Sequence, residues 1–170
     1  KAYRGAFNNT TPQALAAHAI ENAVKRAGVD PASIQDCIMG AALQQGHSGG
    51  NIARQAAIRA GLPVTVAGMS LDRQCASGMM AIATAAKQVI TDGMDVVIGG
   101  GVESISMVQT PEMRVKADGW LKANKPDIYM SMLETAETVA ARYNVSRERQ
   151  DEYAARSQEN THQAQEAGKF

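Results

Sequence analysis

One cysteine in this chain stands where a strand-like segment gives way to a helix-like one: Leu71-Asp72-Arg73-Gln74-Cys75-Ala76-Ser77-Gly78-Met79-Met80. A sulfur at such a junction lies near several unpaired backbone N–H groups and the positive end of the helix dipole. Both stabilise a thiolate, and thiolate rather than thiol is the nucleophile. Small residues at Ala76, Ser77 and Gly78 leave room for a substrate to approach the backbone. The N–H of Cys75 can also face an oxyanion forming on the carbonyl its own sulfur attacks. Most free cysteines are small buried hydrophobes, and spacing by itself leaves both readings of Cys75 open. Cys37, mid-strand between Asp36 and Ile38, has no helix entrance or glycines beside it and reads as structural. His18 (mid-helix), His47 (in a Gly-rich loop) and His162 (on a charged helix) read as surface or packing residues without chemistry. The two cysteines lack metal-ligand spacing and are too few for a disulfide framework.

The elements that must position Cys75 follow from periodicity and punctuation. Thr11 and Pro12 open an amphipathic helix with Leu15, Ala16, Ala19, Ile20, Ala23, Val24 and Ala27 apolar, and Gly28 stops it. Asp30-Pro31 turns the chain into a short apolar strand within 34–43. Gly46 to Gly50 then leads into a helix bearing Ile52, Ala53, Ala56, Ala57 and Ala60, closed by Gly61 and Pro63. Segment 64–71 reads as a second strand, 76–90 as a long helix, and 95–98 as a third strand running into Gly99-Gly100-Gly101. Alternating helices and strands argue for a mostly parallel α/β sheet. The 76–90 helix carries Met79, Met80, Ile82, Ala83, Ala85, Ala86, Val89 and Ile90 around most of its circumference, a pattern that belongs inside a protein. From 102 to 129 the pattern becomes loop-rich. Helices are expected over 135–143 and 147–167, the latter charged and capped by Ser146. Three strands are few for these helices, and a parallel sheet needs cover on both faces. Residues 2–11 read as a loop, and both ends read as cuts.

Composition narrows the function. Lys+Arg 17 balances Asp+Glu 17, so no basic field gathers nucleic acid or anionic membrane. Hydrophobic residues make up 45% of the chain but aromatics only 4%, so the core rests on aliphatics and nine Met. No apolar run approaches a membrane span and the first residues lack a secretory h-region. A reducing, cytoplasmic compartment is expected.

The segment Arg73-Gln74-Cys75-Ala76-Ser77-Gly78-Met79 resembles the nucleophile motif of thiolases, the acetyl-CoA acetyltransferase and 3-ketoacyl-CoA thiolase family. Further segments fall in the family's order: Asn51-Ile52-Ala53-Arg54-Gln55-Ala56-Ala57, Gly61-Leu62-Pro63, and Gly100-Gly101-Val102-Glu103-Ser104-Ile105-Ser106. Thr135-Ala136-Glu137 with Val139-Ala140, and Ser146-Arg147-Glu148-Arg149-Gln150-Asp151, continue it. The resemblance extends over essentially the whole chain and corresponds to the first half of a family member. It implies a layered α/β/α thiolase-like fold, incomplete without a C-terminal half, with the helix after Cys75 buried in the middle layer. It further implies an N-terminal α/β core over 1–103, lacking its first strand, and a truncated loop-domain excursion with helices over 104–170.

By resemblance, Cys75 takes an acyl group from a 3-ketoacyl-CoA and passes it to the thiol of a second CoA, or runs this backwards to join two acetyl-CoA. Ser77 and Gly78 would shape the wall beside the sulfur, and Met132 would line the acyl pocket. Glu103 would tie loop to sheet. CoA thioesters are the substrates and no cofactor or metal is implied. The expected partners are acyl-CoA, CoA, the missing C-terminal half with its activating histidine, and further copies in a homodimer or homotetramer. Asp72 departs from the family's usual Asn, placing a negative charge near Cys75 that Arg73 or Arg54 could pair. Leu133 replaces a usual glycine, which puts pocket shape in question. Two other readings compete: a ketoacyl synthase on the same fold, and a piece (structural, proteolytic or one chain of a split enzyme) inactive by itself.

Overall fold

The computed structural model describes residues 5–113 and 116–169. The chain divides into two compact units, Lys1–Val115 and Lys116–Phe170. The first holds a three-stranded, wholly parallel sheet: β1 (Asp36–Gly40), β2 (Ala67–Leu71) and β3 (Val97–Gly101), in the order β2-β1-β3. Asp36 pairs with Ala67 on one side and Val97 on the other, and Gly40 with Leu71 and Gly101, so the strands end level. Helices α1 (Pro12–Ala27), α2 (Ile52–Arg59) and α3 (Ser77–Thr91) connect and cover them, followed by the short α4 (Ile105–Val108).

α1 begins and ends where its punctuation places it. The Thr11 hydroxyl accepts from the Ala14 N–H, Pro12 occupies the first turn, and Gly28 closes the helix at φ 65°. α2 is capped by Asn51, whose side chain accepts from the Arg54 N–H. β1 is shorter than the 34–43 segment and β2 starts only at Ala67, because Pro63 to Val66 form a turn closed by the Val66 N–H on the Pro63 carbonyl. The glycines after Ile98, expected as the exit of the third strand, belong to it.

The period-2 geometry of β1 divides the core. Cys37 and Met39 face α1 and α2, where Ala16, Ile20, Ala53 and Ala56 join them in the larger cluster. Ile38 faces the opposite side and meets Ala81 and Ala85 of α3. α3 lies close to the sheet because glycines admit it. A Cβ on Gly99 would sit 3.0 Å from the Ile82 Cα, and one on Gly40 would overlap the backbone of Ser77 and Gly78. The start of α3 is therefore seated on the carboxyl end of β1.

The all-round apolar α3 departs from expectation. Within the described chain Met79 is 75% exposed and Ile90 82%, because the sheet packs against the small residues of α3. The second unit comprises α5 (Gly119–Asn124), α6 (Met132–Arg142) and α7 (Arg147–Glu166). α6 starts three residues before the expected 135, fixed by a reciprocal cap between Ser131 and Glu134. The compact units divide between Val115 and Lys116, beyond the 103/104 division that the resemblance implies, and Ser104 and Val108 are buried in the first unit.

Candidate active site

The loops leaving the carboxyl ends of the three strands converge, the usual place for a ligand crevice in an open α/β sheet. β1 lies between β2 and β3, so the connection from β1 to β2 runs one way and the next, from β2 to β3, crosses back past β1, and the crevice opens there. A cleft of about 590 Å³ is lined by Gly40 and Leu43 after β1, Gln74, Cys75 and Gly78 after β2, and Glu103 after β3, among others. Cys75 is a free, exposed thiol in this cleft. Cys37, also free, is fully buried in β1. Burial first, and the neighbouring Asp36 carboxylate second, push the Cys37 thiol up from 9.0 to about 12. Its structural reading is thereby explained: it is inaccessible and held protonated.

The turn that presents Cys75 combines backbone bonds, from the Ala76 N–H to the Arg73 carbonyl at 3.1 Å and from the Ser77 N–H to the Gln74 carbonyl at 3.0 Å, with side-chain hydrogen bonds. Asp72 Oδ1 accepts from the Gln74 N–H at 2.6 Å. Ser77 Oγ accepts from the Arg73 N–H at 2.9 Å and donates to the Gln74 carbonyl at 2.6 Å. Gln74 adopts φ 50°, a left-handed conformation uncommon for a residue with a Cβ. No side chain caps α3, and the Gly78 and Met79 N–H groups have no acceptor among the described residues. Those donors sit in the helix's first turn, beside the cleft that holds the sulfur.

Glu103 bridges two of the loops. Its carboxylate accepts from the Ala42 N–H at 2.8 Å and the Leu43 N–H at 3.2 Å, tying the β3 exit to the β1 exit. Arg54, a candidate partner for Asp72, instead donates to the Val66 carbonyl and, at 2.9 Å, to the Val64 carbonyl. Asp72 has no ion-pair partner among the described residues, where the one salt bridge joins Arg147 to Asp151. Its carboxylate serves the turn rather than pairing with a cation.

The site residues read from sequence are thus distributed unevenly. Cys75, Ser77 and Gly78 all border the cleft, but Ser77 is only 4% exposed and its hydroxyl is engaged inside the turn. Met132 lies in the second unit, at the first position of α6, and is exposed. His18, His47 and His162 are exposed on α1, a 3-10 turn and α7, and none lines the cleft. Among the described residues no three His, Cys, Asp or Glu gather as a metal site, and no helix is long and apolar enough to cross a membrane. Sequence reasoning passed over Gly40, Leu43 and Gly101 as cleft walls. For the two glycines the available signal was their position at strand ends, where small residues permit close approach, and for Leu43 there was none.

Comparison with known proteins places these features. The family described as Thiolase, N-terminal domain, matches residues 1–170. The 3-ketoacyl-CoA thiolase of Bacillus subtilis is 39% identical over 170 residues, covering 100% of this chain and 44% of the relative. The acetyl-CoA acetyltransferase of Rhizobium meliloti is 36% identical, covering 99% of this chain and 45% of its own length. The crystal structure of the Bacillus anthracis acetyl-CoA acetyltransferase superposes with a TM-score of 0.79 at 38% identity, over 98% of this chain and 45% of that one. The chain therefore spans a little under half the length of these relatives.

Proposed function

The chain belongs to the thiolase family, as an N-terminal domain, and we propose that it carries the nucleophile of a CoA-dependent acyltransferase. One observation supports the assignment above all: of two free thiols, Cys75 alone is exposed, just before the N-cap of α3 and inside the cleft where the strand exits converge. In the proposed thiolytic direction the Cys75 thiolate adds to the keto carbonyl of a 3-ketoacyl-CoA. The bond between that carbonyl carbon and the α-carbon breaks, and acetyl-CoA departs as an enolate that takes up a proton. The acyl group remains on sulfur as a thioester. The thiolate of a second CoA then attacks it, releasing acyl-CoA and regenerating the Cys75 thiolate. Reversed, the steps join two acetyl-CoA. A thiolate suits both directions because it attacks and leaves well, and the balance requires only CoA thioesters.

Within this scheme Gly78 leaves space beside the sulfur, and the first-turn amides of α3 face charge developing on the substrate. Met132 is proposed to contribute to the acyl pocket. A histidine base, a proton-shuttling second cysteine and an oxyanion site would come from the C-terminal half. The same half would cover the exposed outer side of α3, where Met79, Ile82 and Ile90 stand in solvent. Assembly as a homodimer or homotetramer and a cytoplasmic location are part of the proposal, and two unpaired thiols suit a reducing compartment. The one carboxylate lining the cleft among the described residues, Glu103, is engaged by the Ala42 and Leu43 N–H groups, and no histidine lines it, so the 170-residue chain by itself is expected to be inactive.

The test is a full-length protein given acetoacetyl-CoA, quenched and digested. The acetyl group is expected on the peptide containing Cys75, with thiolysis lost in Cys75→Ala by about four orders of magnitude or more. Acetylation at another residue, or turnover surviving in Cys75→Ala, overturns the assignment. Acylation from acyl-carrier-protein thioesters in place of CoA thioesters would move it to the ketoacyl synthases.

A further inference from the structure

We propose that Ser77 is a positioning residue for the nucleophile: its hydroxyl holds Gln74 in the left-handed conformation that turns the Cys75 sulfur into the cleft. This deepens the reading of Cys75 as acyl acceptor, on which it rests, and moves Ser77 from the substrate wall into the turn.

The serine's one hydroxyl proton is committed to the Gln74 carbonyl at 2.6 Å, so the group has none to offer a substrate. Its lone pair takes the Arg73 N–H at 2.9 Å. The carbonyl of the Gln74–Cys75 peptide and the N–H of the Asp72–Arg73 peptide are thus gripped by one side chain lying beyond them in sequence. Asp72 completes the grip by accepting the Gln74 N–H at 2.6 Å. A left-handed residue with a Cβ costs roughly 1 kcal/mol or more and persists where its surroundings over-determine it. Here Gln74, at φ 50°, is the residue so held.

The anchor itself cannot swing away. Ser77 is 4% exposed, and its backbone lies so close to Gly40 that a Cβ on that glycine would overlap it. The grip therefore references Cys75 to the carboxyl end of β1, the floor of the cleft. Release of the hydroxyl leaves Gln74 held only by the Ser77 N–H on its carbonyl and by Asp72 on its N–H, a weaker hold that lets it shift towards φ < 0 and re-aims the following N–H and sulfur. Misplacement of a reacting group by about 1 Å can cost on the order of a hundredfold in rate.

The experiment uses the full-length protein with Ser77→Ala, Gln74→Gly and the double variant. For Ser77→Ala we expect kcat for acetoacetyl-CoA thiolysis to fall about thirtyfold with KM changed by less than about twofold, and carbamidomethylation of Cys75 to slow in parallel. Glycine adopts the left-handed conformation without the Cβ penalty. In the Gln74→Gly background the Ser77→Ala loss should therefore shrink to about threefold or less, a coupling that a merely structural serine would not give. Equal losses in both backgrounds, or no loss, overturn the proposal. The labelling arm needs no CoA and separates the two readings. Slowed, Gln74-coupled labelling in a protein whose parent does not thiolyse keeps the positioning and sinks acyl transfer. An active parent with Ser77→Ala unchanged in both rates does the reverse.

Discussion

On one side of the sheet, Cys37 and Met39 of β1 lie under Ala16 and Ile20 of α1 and Ala53, Ala56 and Ala57 of α2, all buried. On the other, Ile38 meets only Ala81 and Ala85 of α3 as buried neighbours, with Leu71 and Val97 partly buried beside them. The contrast is one of orientation as well as extent. α1 turns Ala16, Ile20 and Val24 to the core and leaves its charged residues, with Ala19, Ala23 and Ala27, outside. α3 turns its small residues to the sheet and its larger ones, Met79, Ile82, Val89 and Ile90, outward. Small residues and Gly99 let α3 approach closely, which seats its first turn on β1 and brings Cys75 to the cleft. The face that is complete supplies stability; the helix that begins just beyond the nucleophile covers the other.

The largest predicted difference is in the thiols. Iodoacetamide at pH 8 should modify Cys75 faster than Cys37 by on the order of a thousandfold, the factor that a local opening of about 4 kcal/mol imposes on a buried site. Comparable rates would mean the α1/α2 face opens as readily as the cleft. Titration sharpens the same point. An unfolded thiol ionises near 9 whereas folded Cys37 stays protonated to about 12. Its raised folded value adds stability that is complete below pH 9 and lost as pH rises from 9 towards 12. Chemical denaturation of wild type and Cys37→Ala across that window should show the wild type losing more.

Next in size are two isoleucines. Ile20→Ala should cost about 3 kcal/mol in urea unfolding, the usual range for an aliphatic removed from a packed core. Ile90→Ala should cost within about 0.5 kcal/mol in the 170-residue chain, where that side chain is 82% exposed. In a full-length protein the Ile90 cost should rise to about 2 kcal/mol if the C-terminal half covers α3. The same small cost in both proteins would break the idea that this side is completed from outside the chain.

These differences also mark where sequence is informative. α1 is legible because Thr11, Pro12 and Gly28 act locally, each through the backbone beside it. The parallel sheet follows from alternation of elements, and α3 is recognisable by its apolar circumference. What cannot be read is which side of α3 meets the sheet, since that depends on Gly40 and Gly99 in strands far along the chain. Gly99 to Gly101 look like the exit of the third strand rather than part of it for the same reason. Cys75 stands out by its place before a helix, but its presentation does not. Gln74 favours no left-handed turn by itself, and Asp72 reads as an electrostatic problem until its acceptor role is visible. The α6 cap was within reach, because Ser131 and Glu134 carry the reciprocal spacing that apolar periodicity overran.

The smallest predicted effect probes a polar tie between β1 and α3. Gln88 Nε2 donates to Asp36 Oδ2 at 2.8 Å, while Asp36 Oδ1 accepts the Cys37 N–H at 2.7 Å. Asp36 is buried, so an oxygen deprived of its donor is costly. The Gln88 carbonyl oxygen, however, is itself buried without a partner, and Gln88→Leu removes that penalty together with the hydrogen bond. The two effects oppose, and a net loss of about 1 kcal/mol is expected, against the 1–3 kcal/mol of an uncompensated deletion. Gln88→Glu should cost more at pH 7, where two carboxylates meet. It should recover as the pH falls towards 4, because repulsion raises a carboxyl's folded value and acid restores the shared proton. A Gln88→Leu protein as stable as wild type, together with a Gln88→Glu protein insensitive to pH, would mean that α3 is held by its alanine and glycine contacts alone.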